Sequence, residues 1–191
     1  TIQMTQSATP ADGYASRFAA FAQATALPEP FASLRDDAFG CFDRLGFPTT
    51  RLEEWRYTNV APIADTAFVP VVQMTGYSRA ALDGLRLARL GGPELVFVNG
   101  AFVPELSTTA EVSTGVQVRS LGKVLAATPD VVAPHLGRLA SIESQAFTAL
   151  NTAFLRDGAV VEVPPGVVVD EPIHLLFITV GAGGPVLSQP R

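Results

Sequence analysis

The sequence predicts an α+β fold: a mainly helical N-terminal domain that carries a β-hairpin, followed by the first strands of a β-helix. Three observations point there. Apolar residues recur at helical spacing between Pro10 and Leu45, an Asn-Gly dipeptide sits between two β-forming runs, and short β-rich runs with Gly/Pro corners follow Asp157. Hydrophobic residues make up 48% of the 191 and charged residues 16%, so the chain can bury a sizeable core and is not disordered by composition.

Residues 1–9 are small and polar, a loose tail. From Pro10, suited to a first helical turn, Tyr14, Phe18, Phe21 and Ala22 fall on one helical stripe. That helix should stop before Leu27-Pro28-Glu29-Pro30, because each proline disfavours helix in its predecessor. A second stripe follows with Phe31, Leu34, Ala38, Phe42 and Leu45; Gly46 is placed to end it with a positive φ, which lets Phe47 fold back onto Phe42. Thr50 and Glu53 have the spacing of a capping box, which predicts a short helix through Trp55.

The proline-interrupted stretch 68–72 reads as an edge or connector. Ser78 can cap a third helix that turns Leu82, Leu85 and Leu90 inward, ended by Gly91-Gly92-Pro93. Residues 95–103 form the predicted hairpin, since Asn99-Gly100 best tolerates the two positive φ angles of a type I′ turn. Residues 116–118 read as a further strand. Helical pattern returns near 124–126 and from Ser141 to about Leu155.

Runs 159–163, 167–169 and 173–180 are then β-rich, separated by Pro164-Pro165-Gly166 and Asp170-Glu171-Pro172. Short strands with such corners fit the first coils of a β-solenoid, and strands with no closing partner leave their edges open to self-association. The expected division is 1–157 for the helical domain and 158–191 for the start of the β-helix core. Thr at position 1 and strand-like sequence running up to Arg191 predict a trimmed fragment.

Charge and cysteine usage narrow the function. The net charge is -5 and Lys123 is the single lysine, so no basic face for nucleic acid or an anionic membrane is expected. No apolar run reaches the roughly 18 residues of a membrane span, and no basic head precedes an apolar stretch as in a secretory signal. Cys41 stands alone, which rules out an intrachain disulfide and fits a reducing, cytoplasmic compartment.

The chemistry-bearing residues are sparse. A lone thiol is a poor cluster scaffold, and Cys41 reads as a small buried hydrophobe. His135 and His174 lie far apart with no second ligand at metal spacing; His174 reads as a strand residue on the wetter side. Gly181-Ala182-Gly183-Gly184 lacks the Gly-Lys-Ser/Thr ending of a phosphate loop and reads as a turn. No Gly-x-Ser-x-Gly elbow is present. Glu53 and Glu54 are adjacent, and neighbouring helix positions point about 100° apart, so they form no acid/base pair. Catalytic, cofactor and metal positions are therefore all expected to be absent. Arg51, Glu53, Trp55, Arg56 and Tyr57 are singled out instead as a structural or interface signature. Arg51 lies one turn before Trp55 and could stand over its indole, and Trp55 itself reads first as an aromatic plug, second as a subunit contact.

Three stretches resemble a known family. Gly46-Phe47-Pro48-Thr49-Thr50-Arg51-Leu52-Glu53-Glu54-Trp55-Arg56-Tyr57-Thr58 is similar to the signature near the start of SufD-type proteins, in the SufB/SufD family of iron–sulfur cluster assembly proteins. Leu95-Val96-Phe97-Val98-Asn99-Gly100-Ala101-Phe102-Val103-Pro104-Glu105-Leu106-Ser107 resembles that family's hairpin. Phe147-Thr148-Ala149-Leu150-Asn151-Thr152-Ala153-Phe154, Asp157-Gly158 and Glu171-Pro172-Ile173-His174-Leu175 resemble the entry to its β-helix. The Trp-Arg-Tyr-Thr signature and the compact N-terminal helices favour the SufD branch over SufB.

The resemblance implies a non-catalytic scaffold subunit of a SufB–SufC–SufD complex. Its partners would be a SufB-type subunit and a SufC-type ABC ATPase, and the complex, not this chain, would handle the iron–sulfur cluster. The family's cluster residues and SufC-docking helices lie in its distal part and have no counterpart here. The alternative class is a β-solenoid carbohydrate-active or carbohydrate-binding module, which needs paired carboxylates and aromatic platforms; residues 159–191 offer Glu162, Asp170 and Glu171 but neither Trp nor Tyr.

Overall fold

The computed structural model describes residues 10–71, 80, 83–84, 91–108, 115–181 and 183–191. The expected tail at 1–9 and most of the helix expected from Ser78 lie outside them. Helices α1 (Pro10–Ala24) and α2 (Phe31–Leu45) stand where the apolar stripes place them. Gly46 ends α2 with φ 64°, its N–H donating to Phe42 O at 2.8 Å, and Phe47 returns to Phe42 with ring centroids 5.2 Å apart. The buried face of α2 differs from expectation: Phe31, Ala38 and Phe42 are buried and joined by Arg35, while Leu34 and Leu45 are only partly buried. A guanidinium is tolerated there because its donors are met: Nε by Ala153 O (3.3 Å), one terminal nitrogen by Thr25 O (2.6 Å) and the other by Thr25 Oγ1 (3.1 Å). Its face lies over the Phe21 ring, and burial holds its pKa below the ordinary value against a smaller opposing pull from Asp36.

A 3₁₀ turn (Glu53–Trp55), α3 (Ala61–Ala64) and β1 (Val69–Pro70) follow. The hairpin is β2 (Glu94–Val98) with β3 (Ala101–Phe102), joined through Asn99 at φ 49° and Gly100 at φ 79°, the positive pair that a type I′ turn requires. Strand β4 (Gln117–Ser120) leads into α4 (Leu121–Ala127), where Ser120 Oγ accepts from the Lys123 amide. The helix expected from Ser141 is shorter: residues 142–144 form a turn and α5 runs Ala146–Ala153. Three strands complete the chain, β5 (Ala159–Glu162), β6 (His174–Ile178) and β7 (Val186–Leu187). Residues 167–169, expected as strand, are irregular.

The fold is thus mixed helix and strand, an α+β arrangement of packed helices and small sheets. The sheets have the orders β1-β7, β3-β2-β6 and β4-β5. Pairing is parallel between β1 and β7 and between β2 and β6, antiparallel between β4 and β5. The strands beyond residue 157 were expected to lack partners; each instead pairs with a strand that precedes it. Central strand β2 is covered on both faces, with Leu95, Val96, Phe97 and Val98 all at 0% exposure. Burial on two sides is why that run shows no apolar/polar alternation.

Three apolar clusters hold these elements. Tyr14, Phe21, Ala38, Phe42, Leu150 and Phe154 join α1, α2 and α5. Phe31, Leu121, Val124, Leu125 and Leu155 join the start of α2 to α4. Val96, Val98, Leu106 and Ile178 join the hairpin to β6. Asp157, a buried carboxylate, ties the hairpin to the start of α4. Its Oδ1 accepts from Ser120 Oγ, Gly122 N and Gly158 N, and its Oδ2 accepts from Phe102 N, each at 2.8 Å. Gly158 next to it allows a close backbone crossing, because a Cβ there would fall 1.7 Å from Arg191 O.

Candidate functional site

The signature residues 51–57 fold as one tight, largely exposed turn. The expected capping box does not form: Leu52, not Thr50, is the residue preceding the 3₁₀ turn, and it has no side-chain cap. Thr49 Oγ1 instead accepts from the Arg51 amide at 3.4 Å, while Trp55 N–H and Thr58 N–H donate to Leu52 O and Trp55 O. A run that turns every three residues leaves Glu53 no path back to Thr50. Glu53 reaches forward to Arg56 instead, 3.8 Å away and mostly in solvent, a pair that adds little stability. The cation–π contact expected between Arg51 and Trp55 is replaced by one between Arg56 and the Tyr57 ring, 5.4 Å from guanidinium carbon to centroid.

Trp55 is half-buried, short of the full plug expected. Its indole meets Phe147 on α5 at 5.3 Å between ring centroids. Phe147 in turn meets Phe47 at 5.9 Å, and Phe47 meets Tyr14 at 5.6 Å. This aromatic line runs from the turn into the first core cluster. The side chains on either side of the anchor face outward: Leu52 is 54% exposed and Tyr57 90%. The arrangement is a tight turn, pinned by one aromatic, that presents an aliphatic and a phenolic side chain between charged neighbours. Apolar contact area with a polar rim is what a protein partner uses.

The other candidates fall elsewhere. Cys41 is partly buried on α2 against the first cluster. His174 on β6 faces Glu94 in the parallel register, Nδ1 to Oε2 at 2.8 Å, which ties β6 to β2. His135 is exposed beside a cleft of about 460 Å³ between α4, residues 131–140 and β5, whose lining is mainly aliphatic and holds neither Trp nor Tyr. Among the described residues no three His, Cys, Asp or Glu side chains converge at metal distance, and no helix is long and apolar enough to cross a membrane. The reading from sequence missed Asp157, marking it only as a boundary. An acidic residue directly before the glycine that opens a β-rich run was the available signal.

An α+β body that carries an aromatically anchored, exposed turn is the class of structure these observations define. Residues 12–175 match the family described as the SufBD protein N-terminal region, and the chain belongs to that family. It is similar to an iron–sulfur cluster assembly SufBD family protein of Synechocystis sp., with 34% identity over 155 residues, covering 80% of this chain and 34% of that protein. It is also similar to the iron–sulfur cluster assembly protein SufD of Escherichia coli, 29% identical over 142 residues, covering 74% of this chain and 30% of that protein. The chain spans about a third of the length of the curated relatives it matches.

Proposed function

We propose that this chain is the N-terminal region of a non-catalytic, SufD-like scaffold subunit in a cytoplasmic SufB–SufC–SufD complex. In that role it associates with a SufB-type subunit and a SufC-type ABC ATPase, and the assembled complex, not this region, holds the nascent cluster as cargo. The observation that carries the reading is the 51–57 turn, where Trp55 is fastened to Phe147 while Leu52 and Tyr57 stay in solvent. A subunit contact needs that combination of anchoring and exposed apolar surface. The parallel registers of β2 with β6 and β1 with β7 support a continuation into a β-helix, because stacked solenoid coils pair in parallel. Among the described residues β6 is an edge strand, and its Phe177 is 48% exposed, which supports self-association when no such continuation covers it.

Anaerobic reconstitution with iron and sulfide tests the division of labour. The 191-residue chain alone should develop no charge-transfer absorbance, and mixtures that include the intact SufB-type subunit should. A stoichiometric band on this chain alone would assign cluster ligation to it and overturn the proposal.

A further inference from the structure

Asn99 does more than turn the hairpin. It alone among the chain's asparagines is followed by glycine; Asn59 and Asn151 precede Val60 and Thr152, whose branched side chains crowd the next amide. The Asn99 backbone N–H donates to Ile178 O at 2.8 Å, and the carboxamide carries the pairing of β2 with β6 one step further. Its Oδ1 accepts from Val180 N at 2.8 Å, and its Nδ2 donates to Val180 O at 3.2 Å. Both ends of the amide are thus engaged by one residue. Gly100 is buried, and a Cβ on it would stand 3.4 Å from Gln189 N and from Ser188 Oγ.

We infer that Asn99 is a site of spontaneous deamidation that is closed in the folded chain and opens when the segment at Val180 leaves the hairpin. In the reaction Gly100 N attacks Asn99 Cγ. The N–Cγ bond forms, the Cγ–Nδ2 bond breaks, and ammonia departs with the amide proton. Water from solvent then opens the cyclic imide at either carbonyl to give aspartate or isoaspartate, with no change of oxidation state. Three features oppose the attack in the closed fold: Val180 holds the carboxamide, residues 188–189 pack against Gly100, and the Asn99 backbone is fixed at φ 49°. Opening of the β6 end releases the first of these directly and frees the turn to leave its positive φ. The step runs one way. A carboxylate has no N–H for Val180 O and sets a negative oxygen against that carbonyl. Isoaspartate also adds a methylene to the main chain of a turn that depends on two positive φ angles.

The full chain is held in mildly alkaline buffer, and conversion at each asparagine is read by peptide mass spectrometry. Asn99 should convert at least about tenfold more slowly in native buffer than in unfolding urea, and its rate should already climb at urea concentrations below the unfolding transition, as local opening requires. Val180→Pro removes the donor to Oδ1 and should speed native conversion at Asn99 about tenfold, the worth of one hydrogen bond, with Asn59 and Asn151 unchanged. Should that variant fail to fold, the urea series decides alone. The isoaspartate form, returned to native buffer, should exchange its 176–180 amides at least about tenfold faster than the unmodified chain. The inference is overturned by equal conversion in native and unfolded chains, by a native rate that stays flat up to global unfolding, by a folded Val180→Pro that converts no faster, or by a modified chain that regains full protection at 176–180.

Discussion

Trp55 touches Phe147 with ring centroids 5.3 Å apart and planes tilted by 41°, and this contact joins the 51–57 turn to helix α5. Because the indole is only half-buried, Trp55→Ala should cost about 2–3 kcal/mol, below the roughly 3–5 kcal/mol of a fully buried aromatic. Thermal unfolding reads this directly. An unchanged midpoint would mean that the indole is free to serve as a contact and does not anchor the turn.

Asp157 should matter more. Asp157→Ala strands the Ser120 hydroxyl and the Phe102, Gly122 and Gly158 amides without their acceptor. Unmet buried donors make the loss at least about 3 kcal/mol. Asp157→Asn should fall between, since its amide keeps one acceptor oxygen and turns an NH₂ toward donors. Urea unfolding of both variants checks the order; an Asn variant no better than Ala would break it.

The helices α1 and α2 and the hairpin were legible because each rests on local rules: apolar stripes, prolines at 28 and 30, Gly46, and Asn99-Gly100. The strand partners were not. Parallel pairs such as β2 with β6 join residues 80 positions apart, Glu94 with His174, and nothing local encodes that register. Arg35 was passed over because a charged residue on the apolar stripe looks like a solvent position until Thr25 and Ala153 are brought to it. Of the candidate site, the position of the 51–57 turn was legible; its 3₁₀ winding was not, since the Thr50–Glu53 spacing suits an ordinary helix start equally well.

Tyr14 carries a pH prediction. Burial pushes its phenol above the ordinary 10.0, with Arg17 pulling less strongly the other way, and among the described residues its hydroxyl has no hydrogen-bond partner. Above pH 10.0 the unfolded chain's tyrosine ionises first, so the unfolded state binds fewer protons and stability falls as pH rises toward the folded value. Tyr14→Phe should remove that part of the alkaline loss. It should also raise stability near neutral pH by up to about 1 kcal/mol, because an orphan hydroxyl leaves the core. Denaturant titrations at about pH 9 and about pH 11 compare the two proteins; parallel losses would contradict the sign.

Leu52 and Tyr57 should separate stability from association. Both side chains are largely in solvent, so Leu52→Ala with Tyr57→Ala should change unfolding free energy by no more than about 0.5 kcal/mol. The same double variant in the intact protein should weaken subunit association at least about tenfold. A variant that melts early without losing association would reverse the roles assigned to the turn.

Native mass spectrometry of the intact protein, mixed with purified SufB-type and SufC-type subunits, tests the scaffold assignment most directly. A single assembly containing all three, with its population reduced by the Leu52/Tyr57 double substitution, is the expected result. Three separate species at concentrations where the other two subunits still pair would contradict the assignment.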